Sequence, residues 1–205
     1  MKYSDRQILS FAELIVLSGP ELFAYIYNKR GESLVNWFIR LIRDDKSSYH
    51  TSHILADISK DSVRGMIITL PATVMKEKSI NEAKSIRQNC SGFGTYVVYM
   101  IRLIWRLRIL FHYPKLKNDE MFIANLAVYD EFRGKGIGSR LLAVAEENAN
   151  SNGYSKLSLF VEIDNEKAIS LYQNQGFKIV SKKVFPKEYN KYHLYGLYKM
   201  VKSIS

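Results

Sequence analysis

The sequence predicts an α/β fold in a single domain. Two apolar runs of strand length, at residues 121–128 and 157–163, flank a glycine-rich loop and an amphipathic helical pattern. Because a helix joins these two strands, we expect them to lie nearly parallel, with a right-handed crossover. No linker rich in proline, glycine or serine divides the 205 residues, and a hydrophobic content of 47% is enough for a substantial core. Residues 1–205 are therefore expected to form one domain.

The first part of the chain has helical patterns followed by a hairpin pattern. Ser4 and Gln7 form a capping box, and the apolar residues after them share one helical face, which predicts a helix almost at the first residue. Two more helical patterns and a β-hairpin pattern follow, at residues 22–27, 33–43, 54–58 and 64–70.

The glycine-rich loop is the most informative motif. Residues 133–139 read Arg-Gly-Lys-Gly-Ile-Gly-Ser, directly before the helix. Three alternate positions without side chains let backbone N–H groups converge on phosphate oxygens, and the helix N terminus adds a partial positive charge. Arg133 and Lys135 add full charges. An ordinary glycine-rich turn has the same composition, so this motif alone leaves both interpretations open.

A second motif, at residues 165–177, follows the second strand. Asp164 or Asn165 can cap its helix, and Gly176 can end the helix in the left-handed conformation. Tyr172 lies on the apolar face of this helix, which by itself favours a core tyrosine with a hydrogen-bonded hydroxyl.

Taken together, the two motifs resemble those of the GNAT superfamily of acetyl-CoA-dependent N-acetyltransferases. The acetyl-CoA loop of that family, Gln/Arg-x-x-Gly-x-Gly/Ala, matches residues 133–138, and its helix pattern, Asn-x-x-Ala-x-x-Leu-Tyr-x-x-x-Gly-Phe, matches residues 165–177. The resemblance is firm over residues 122–180. It implies an α+β arrangement, in which helices flank a twisted mixed β-sheet and a helical insertion at about residues 72–118 precedes the motif strand.

The resemblance also implies where acetyl-CoA binds. The fourth and fifth strands of the family's sheet are expected to splay apart, so that the pantetheine arm lies between them. The implied cofactor-binding residues are Leu126, Ala127 and Val128 for the arm and thioester, Arg133, Gly134, Lys135, Gly136, Ile137, Gly138 and Ser139 for the pyrophosphate, and Asn165, Ala168 and Tyr172 on the second helix. Acetyl-CoA is the expected co-substrate, and no metal is expected.

The implied reaction is direct attack of a deprotonated amine on the thioester in a ternary complex, where proximity supplies much of the rate. Backbone N–H groups near Leu126 are implied to polarise the carbonyl, and Tyr172 to protonate the departing thiolate. Phe122 stands where some relatives place a glutamate. We therefore consider Glu120, two residues earlier on the same strand face, as the proton acceptor, directly or through water, and Glu162 as a less favoured one.

Two regions depart from the family pattern. GNAT domains usually begin with a strand, but residues 1–3 are too short for a good one, so the first strand is expected to be absent or vestigial. In the insertion, residues 74–88 form a mixed helical pattern and residues 95–111 are apolar nearly all round. The arginines in the second segment would each cost about 2.5 to 3.5 kcal/mol near a bilayer centre, which argues against a transmembrane helix. We expect a helix that packs between the sheet and an acceptor pocket or the second subunit of a homodimer, with a membrane-surface helix as the alternative.

The acceptor is not specified by these motifs. The walls that select it come from the regions where the resemblance is weakest, so a small amine, a polyamine, an antibiotic and a protein amino group all stay open. The aromatic residues near the C-terminal end are candidates to line the pocket: Tyr189, Tyr192, Tyr195 and Tyr198.

The charge of the chain raises an alternative function. A formal net charge of +10 suggests a basic nucleic-acid-binding or regulatory protein on the same scaffold without transfer activity. However, no helix-turn-helix, zinc module or ribonucleoprotein signature accompanies the charge, and a basic rim also suits a cofactor with several phosphates. Nucleic acid is therefore not the expected partner.

Cysteine and histidine usage adds two expectations. The single cysteine, Cys90, cannot form an internal disulfide and points to the reducing cytoplasm. His50 and His53 have the spacing of metal ligands but lack a third ligand, which favours ordinary polar histidines.

Overall fold

The computed structural model describes residues 3–75, 77–78, 109 and 112–204. Within these ranges the helices are α1 (Asp5–Ser18), α2 (Pro20–Tyr27), α3 (Gly31–Arg43), α4 (Ile137–Ser151) and α5 (Glu166–Asn174). The strands are β1 (Ile54–Ser59), β2 (Ser62–Pro71), β3 (Met121–Val128), β4 (Lys156–Glu162), β5 (Lys178–Val184) and β6 (Gly196–Ser203). The predicted α+β arrangement of a mixed sheet flanked by helices is confirmed.

The six strands form one sheet in the order β1-β2-β3-β4-β6-β5. Strands β3 and β4 are parallel and are joined through α4, as the sequence predicts, whereas the other described pairings are antiparallel. The sheet begins with β1 after three helices, so the motif strand is the third of the described strands.

The N-terminal helices form for the local reasons visible in the sequence. The Ser4 hydroxyl accepts a hydrogen bond from the Gln7 backbone N–H at 3.3 Å, and the Gln7 side chain accepts one from the Ser4 N–H at 3.0 Å, which completes the predicted capping box. The apolar stripe of α1 is fully buried, at Ile8, Phe11, Ala12 and Ile15.

The sheet separates two hydrophobic cores. The first lies between the sheet and helices α1, α2 and α3, and it includes Phe122 of β3. The second lies on the opposite face under α4 and α5, and it includes Ile123 and Tyr172. A smaller aromatic cluster at the β4–β6 end contains Phe185, Tyr189, Leu194, Leu197 and Ile109.

Most of the predicted helical segments at 74–88 and 95–111 lie outside the described residues. Of the second segment, the structure describes Ile109, which is fully buried in the aromatic cluster. Among the described helices, none is by itself long and apolar enough to cross a membrane, and α1 and α2, which meet that test together, are bent by 98°.

Candidate active site

Strands β3 and β4 diverge partway along their length. They pair over three positions, Met121–Ile123 with Leu157–Leu159. Strand β4 continues to Glu162 while still paired with β6, and β3 continues to Val128 while still paired with β2. The two strands therefore leave a gap between them, as the family resemblance implies.

A β-bulge lies where the gap opens. In the β2–β3 ladder, Ile68 pairs with Asn125 and Thr69 pairs with Ile123, which leaves Ala124 without an opposite residue. A bulge bends its strand and increases the local twist. The bulge at Ala124 therefore explains why β3 turns away from β4 directly after Ile123.

The free edge of β3 carries the residues expected to hold the pantetheine arm. Leu126, Ala127 and Val128 pair with β2 on one side, through Ile67, Met66 and Gly65. Backbone N–H and C=O groups of a strand point alternately to its two edges, so those directed at β4 are left without a strand partner. These unpaired N–H and C=O groups could form hydrogen bonds with the amides of the expected pantetheine arm.

The glycine loop lies between the end of β3 and the start of α4. Gly134 and Gly136 adopt left-handed φ angles of 74° and 72°, which only glycine adopts at little cost. Gly136 is the N-cap residue of α4, and no side chain caps this helix. The N–H groups of its first turn therefore have no side-chain cap, and they suit an anionic group.

An arginine connects this loop to the sheet. The Arg140 guanidinium donates to the Lys135 carbonyl oxygen at 3.0 Å and to Asp57 of β1 at 3.2 Å. Asp57 also accepts a hydrogen bond from Arg64 of β2. The Lys135 backbone is thus held against β1 and β2 through Arg140 and Asp57.

The helix that carries Tyr172 packs beside the loop. Asn165 caps α5 by accepting a hydrogen bond from the Ala168 N–H at 3.1 Å, which decides between the two predicted capping residues. A Cβ atom placed on Gly138 would lie 3.4 Å from the Leu171 side chain, so the first turn of α4 touches α5.

Tyr172 is buried, with 8% of its surface exposed, and its ring lies edge-on to Phe177 at 5.7 Å. Among the described residues, its hydroxyl has no hydrogen-bond partner. Burial raises the pKa of Tyr172, so the phenol stays protonated at neutral pH. The side chain is therefore a proton donor without a partner.

Glu120 lies at the paired end of β3, before the strands diverge. Its carboxylate accepts a hydrogen bond from the Lys199 ammonium at 2.8 Å and one from the Lys117 backbone N–H at 3.3 Å. The Lys199 ammonium also donates to the Lys115 carbonyl oxygen at 2.9 Å. The side chains of Lys199 and Glu120 are only 5% and 2% exposed, so both belong to the interior of the sheet.

Glu162 is the carboxylate that lies at the gap. It is the last residue of β4, it is half-buried, and among the described residues its side chain has no hydrogen bond or ion pair. Burial raises the pKa of Glu162, and the carboxylates of Asp164 and Glu21 raise it further. Glu162 therefore differs from Glu120 in two ways: it lies at the gap, and it has no ion-pair partner among the described residues.

Two polar residues near the gap were not singled out by the sequence. The Asn125 amide donates to the Ser18 hydroxyl at 2.6 Å, while its enclosed Oδ1 atom has no partner among the described residues. Within the same part of the chain, the enclosed Tyr113 hydroxyl has no partner either. An asparagine within an apolar strand is a visible sequence signal, but nothing around Tyr113 marks it.

The histidines and C-terminal tyrosines considered in the sequence analysis make ordinary structural contacts. His50 accepts a hydrogen bond from the Ser52 backbone N–H at 3.3 Å and so caps the start of the short helical turn Thr51–His53. In the part of the chain that the structure describes, no group of three or more histidine, cysteine or acidic side chains is placed to hold a metal ion. Tyr189 packs in the aromatic cluster, whereas Tyr198 packs against the core under α4 and α5.

The family model described as the acetyltransferase (GNAT) family matches residues 36–177. This chain belongs to the GNAT family. The match covers β1 to β4 and α5, and therefore both sides of the gap, the glycine loop and Tyr172.

A curated relative of this chain also carries the name of an N-acetyltransferase. The chain is 37% identical over 75 residues to the uncharacterized N-acetyltransferase YycN of Bacillus subtilis (strain 168), a match that covers 35% of this chain and 48% of YycN. The chain thus spans about half the length of this curated relative.

Two solved structures show the same fold. An N-acetyltransferase from Staphylococcus aureus Mu50 superposes with a TM-score of 0.69 at 18% identity, covering 98% of this chain and 97% of that one. A Bacillus subtilis acetyltransferase in complex with CoA superposes with a TM-score of 0.55 at 12% identity, covering 100% and 96%.

Proposed function

We propose that this GNAT protein transfers the acetyl group of acetyl-CoA to an amine by direct attack in a ternary complex. The observation that carries the proposal is the β3–β4 gap, which begins directly after Ile123 and leads along β3 to the uncapped glycine loop. Acetyl-CoA has an extended pantetheine arm followed by a pyrophosphate, so it requires a gap for the arm that leads to an anion-binding loop. The coenzyme A bound to the structurally similar Bacillus subtilis acetyltransferase supports the choice of cofactor.

The cofactor roles follow from the free backbone groups. Leu126, Ala127 and Val128 present a strand edge to the pantetheine amides, and N–H groups near Leu126 polarise the thioester carbonyl. Residues 133–139 surround the pyrophosphate with exposed N–H groups and the charges of Arg133 and Lys135. Asn165 and Ala168 hold the start of α5 beside that loop.

The reaction requires one bond to form and one to break. The lone pair of the neutral amine attacks the thioester carbonyl carbon, a C–N bond forms, and the C–S bond breaks as coenzyme A leaves. The substrate ammonium must first lose a proton, the attacking nitrogen must lose a second proton as the amide forms, and the departing thiolate must gain one. Side chains are needed for the first of these transfers and for the protonation of the thiolate.

Tyr172 is our proposed donor to the thiolate. Its raised pKa keeps the phenol protonated, and its hydroxyl has no other partner among the described residues. A core tyrosine kept only for packing would be expected to have a satisfied hydroxyl. The unpartnered hydroxyl therefore supports the catalytic role over the packing role.

Glu120 is a weaker choice for the proton acceptor than the sequence suggested. Both of its carboxylate oxygens already accept hydrogen bonds, and Lys199 holds it in the sheet interior at the closed end of the β3–β4 pair. A base needs a free lone pair that faces the substrate. We therefore assign Glu120 to the stability of the sheet.

The proposed function is tested by transfer itself. The protein is mixed with acetyl-CoA and a panel of primary amines, amino sugars, polyamines and lysine-containing peptides, and thiol release and the acetylated product are measured. We expect amine-dependent release of coenzyme A with a mass increase of one acetyl group. Coenzyme A binding without transfer to any amine would favour a regulatory protein on this scaffold.

A further inference from the structure

We propose that the side of the β3–β4 gap facing α2 binds the acceptor as a primary ammonium with an apolar body. In this site Glu162 takes the proton of the ammonium, and Asn125 and Tyr113 accept its hydrogen bonds or those of its neighbouring groups. The inference rests on the proposed function, because it concerns the second substrate of that reaction.

The residues lie on one face of the sheet. Phe160 packs against Phe122 at 5.1 Å and against Tyr113 at 5.6 Å, on the side of α1, α2 and α3. Glu162 is two residues further along β4, and alternation places it on the same side. Asn125 points to this side as well, because its amide donates to Ser18 at the end of α1.

These residues also flank the open part of the gap. Asn125 on β3 and Glu162 on β4 both follow Ile123 and Leu159, the last residues that pair the two strands. Asn125 therefore places its amide on one strand of this gap, and Glu162 places its carboxylate on the other strand. The thioester of acetyl-CoA, held along β3, lies in the same gap.

Two of the five enclosed side-chain atoms that lack partners among the described residues belong to this site. They are the Asn125 Oδ1 atom and the Tyr113 hydroxyl, and Asn125 is only 7% exposed. An unpaired buried polar group is costly, so such groups in a folded protein call for an explanation. A ligand ammonium, which has three N–H donors, satisfies Asn125 Oδ1 and a Glu162 oxygen together.

The local charge favours a cation. Although the chain has a formal net charge of +10, the charged groups that act on Glu162 are the carboxylates of Asp164 and Glu21. Burial raises the pKa of the Tyr113 hydroxyl, and the Glu162 carboxylate raises it further. A carboxylate near other carboxylates attracts an ammonium, and an upward shift of its pKa makes it a stronger proton acceptor.

The surrounding wall is aromatic. Tyr113 stacks on Phe185 at 6.0 Å with an interplanar angle of 14° and meets the Phe160 ring edge-on. On the α2 side, Tyr25 packs against Tyr189 at 5.7 Å. Rings of this kind stabilise the apolar body of an amine, and their faces also attract its cationic end.

The proton transfers balance with these assignments. The Glu162 carboxylate takes one proton from the ammonium and becomes a carboxylic acid, and the neutral amine then attacks the thioester. Tyr172 gives one proton to the coenzyme A thiolate. The nitrogen of the adduct loses a second proton to solvent as the C–S bond breaks. After the products leave, Glu162 loses its proton to solvent and Tyr172 regains one from solvent, so the net reaction releases a single proton.

The test uses a matched pair of probes and calorimetry on the protein saturated with coenzyme A. The probes are 2-phenylethylamine, which carries the ammonium, and 2-phenylethanol, which does not. We expect the unmodified protein to bind the amine at least about tenfold more tightly, because a charge-assisted hydrogen bond contributes roughly 1.5–3 kcal/mol. Glu162→Gln should lose this preference, and Glu147→Gln, on the exposed face of α4, should keep it.

A second variant protects the test against misfolding. Tyr113→Phe removes an unpaired hydroxyl, so the melting temperature should stay the same or rise while binding of the amine weakens by about threefold or more. With a reacting amine, Glu162→Gln should also remove the acidic limb of the kcat/KM profile.

The outcomes separate the two hypotheses. Equal binding of the two probes, or an unchanged preference in Glu162→Gln and Tyr113→Phe, overturns the acceptor site. If coenzyme A itself does not bind, the proposed function fails as a whole. If coenzyme A binds and the probes show no preference, only the acceptor site is wrong.

Discussion

The ammonium of Lys199 and the carboxylate of Glu120 lie 2.8 Å apart in the interior of the sheet. Lys199 is on β6 and Glu120 immediately precedes β3, so the ion pair crosses β4, which lies between these strands. Removal of one partner of such a pair leaves a buried charge uncompensated and costs about 3–5 kcal/mol. The pair therefore stabilises the closed end of the sheet on which the gap depends.

Glu120→Gln should consequently act on stability. We expect the free energy of unfolding to fall by roughly 2–4 kcal/mol, somewhat less than for complete removal because glutamine still accepts a hydrogen bond. Urea unfolding measures this loss. The double variant Glu120→Met with Lys199→Met should recover most of it. A stable Glu120→Gln enzyme that has lost its acidic rate limb would instead make Glu120 the base.

Tyr172→Phe separates catalysis from packing. The ring is retained and the hydroxyl has no partner among the described residues, so the melting temperature and acetyl-CoA affinity should be nearly unchanged. We expect kcat to fall about 10²-fold or more, because the thiolate leaves without a proton donor. Steady-state and single-turnover rates with a reacting amine measure the effect. A normal kcat combined with lower stability would assign Tyr172 to the core.

Arg140→Met tests the connection between the glycine loop and β1. Loss of the hydrogen bonds to the Lys135 carbonyl and to Asp57 should free the loop, so that acetyl-CoA binds about three- to tenfold more weakly while kcat at saturation is kept. Arg43→Met is the control for loss of an arginine ion pair. It removes an exposed ion pair with Asp5, and neither residue belongs to the glycine loop. Equal affinities in both variants would show that the loop is ordered without Arg140.

The pH dependence of stability tests the environment of Glu162. Its pKa is raised in the folded protein, so folding loses stability as the pH rises through that pKa, whereas below the unfolded value both states are protonated. Glu162→Gln removes this loss. Its melting temperature should exceed that of the unmodified protein by about 2 °C at pH 8 and match it at pH 4. A variant that is less stable at pH 8 would mean that the carboxylate has a stabilising partner.

The sequence predicted those features that depend on nearby residues. The capping box at Ser4 and the left-handed conformation of Gly176 follow from local chemistry, and β3 was predicted with the bounds at which it is found, Met121–Val128. The motifs also predicted the order of β3, α4, β4 and α5. The β3–β4 gap followed from the family resemblance, and the register of the strands confirms it.

Features that depend on residues distant in sequence could not be predicted in this way. Alternation along β3 placed Glu120 correctly on the face of Phe122, but its partner Lys199 is brought close only by the β4–β6 pairing. The bulge at Ala124 shifts the alternation, so the strand pattern gave no reason to expect Asn125 on the α1 side. Tyr113 lies within the insertion at about residues 72–118, and no sequence motif marks it as a site residue.

Acetyl-CoA binding, measured by calorimetry and thermal shift on a matched pair of glycine variants, tests the central claim most directly. Gly136 and Gly153 have nearly the same left-handed φ, 72° and 76°, but only Gly136 lies in the glycine loop. We expect the unmodified protein and Gly153→Asp to bind acetyl-CoA and gain thermal stability, since a ligand at about 100 times its Kd contributes roughly 2.7 kcal/mol. Gly136→Asp should lose binding, because a carboxylate then occupies the pyrophosphate site. An unmodified protein that binds no acetyl-CoA, or equal affinities in the two variants, would contradict the account.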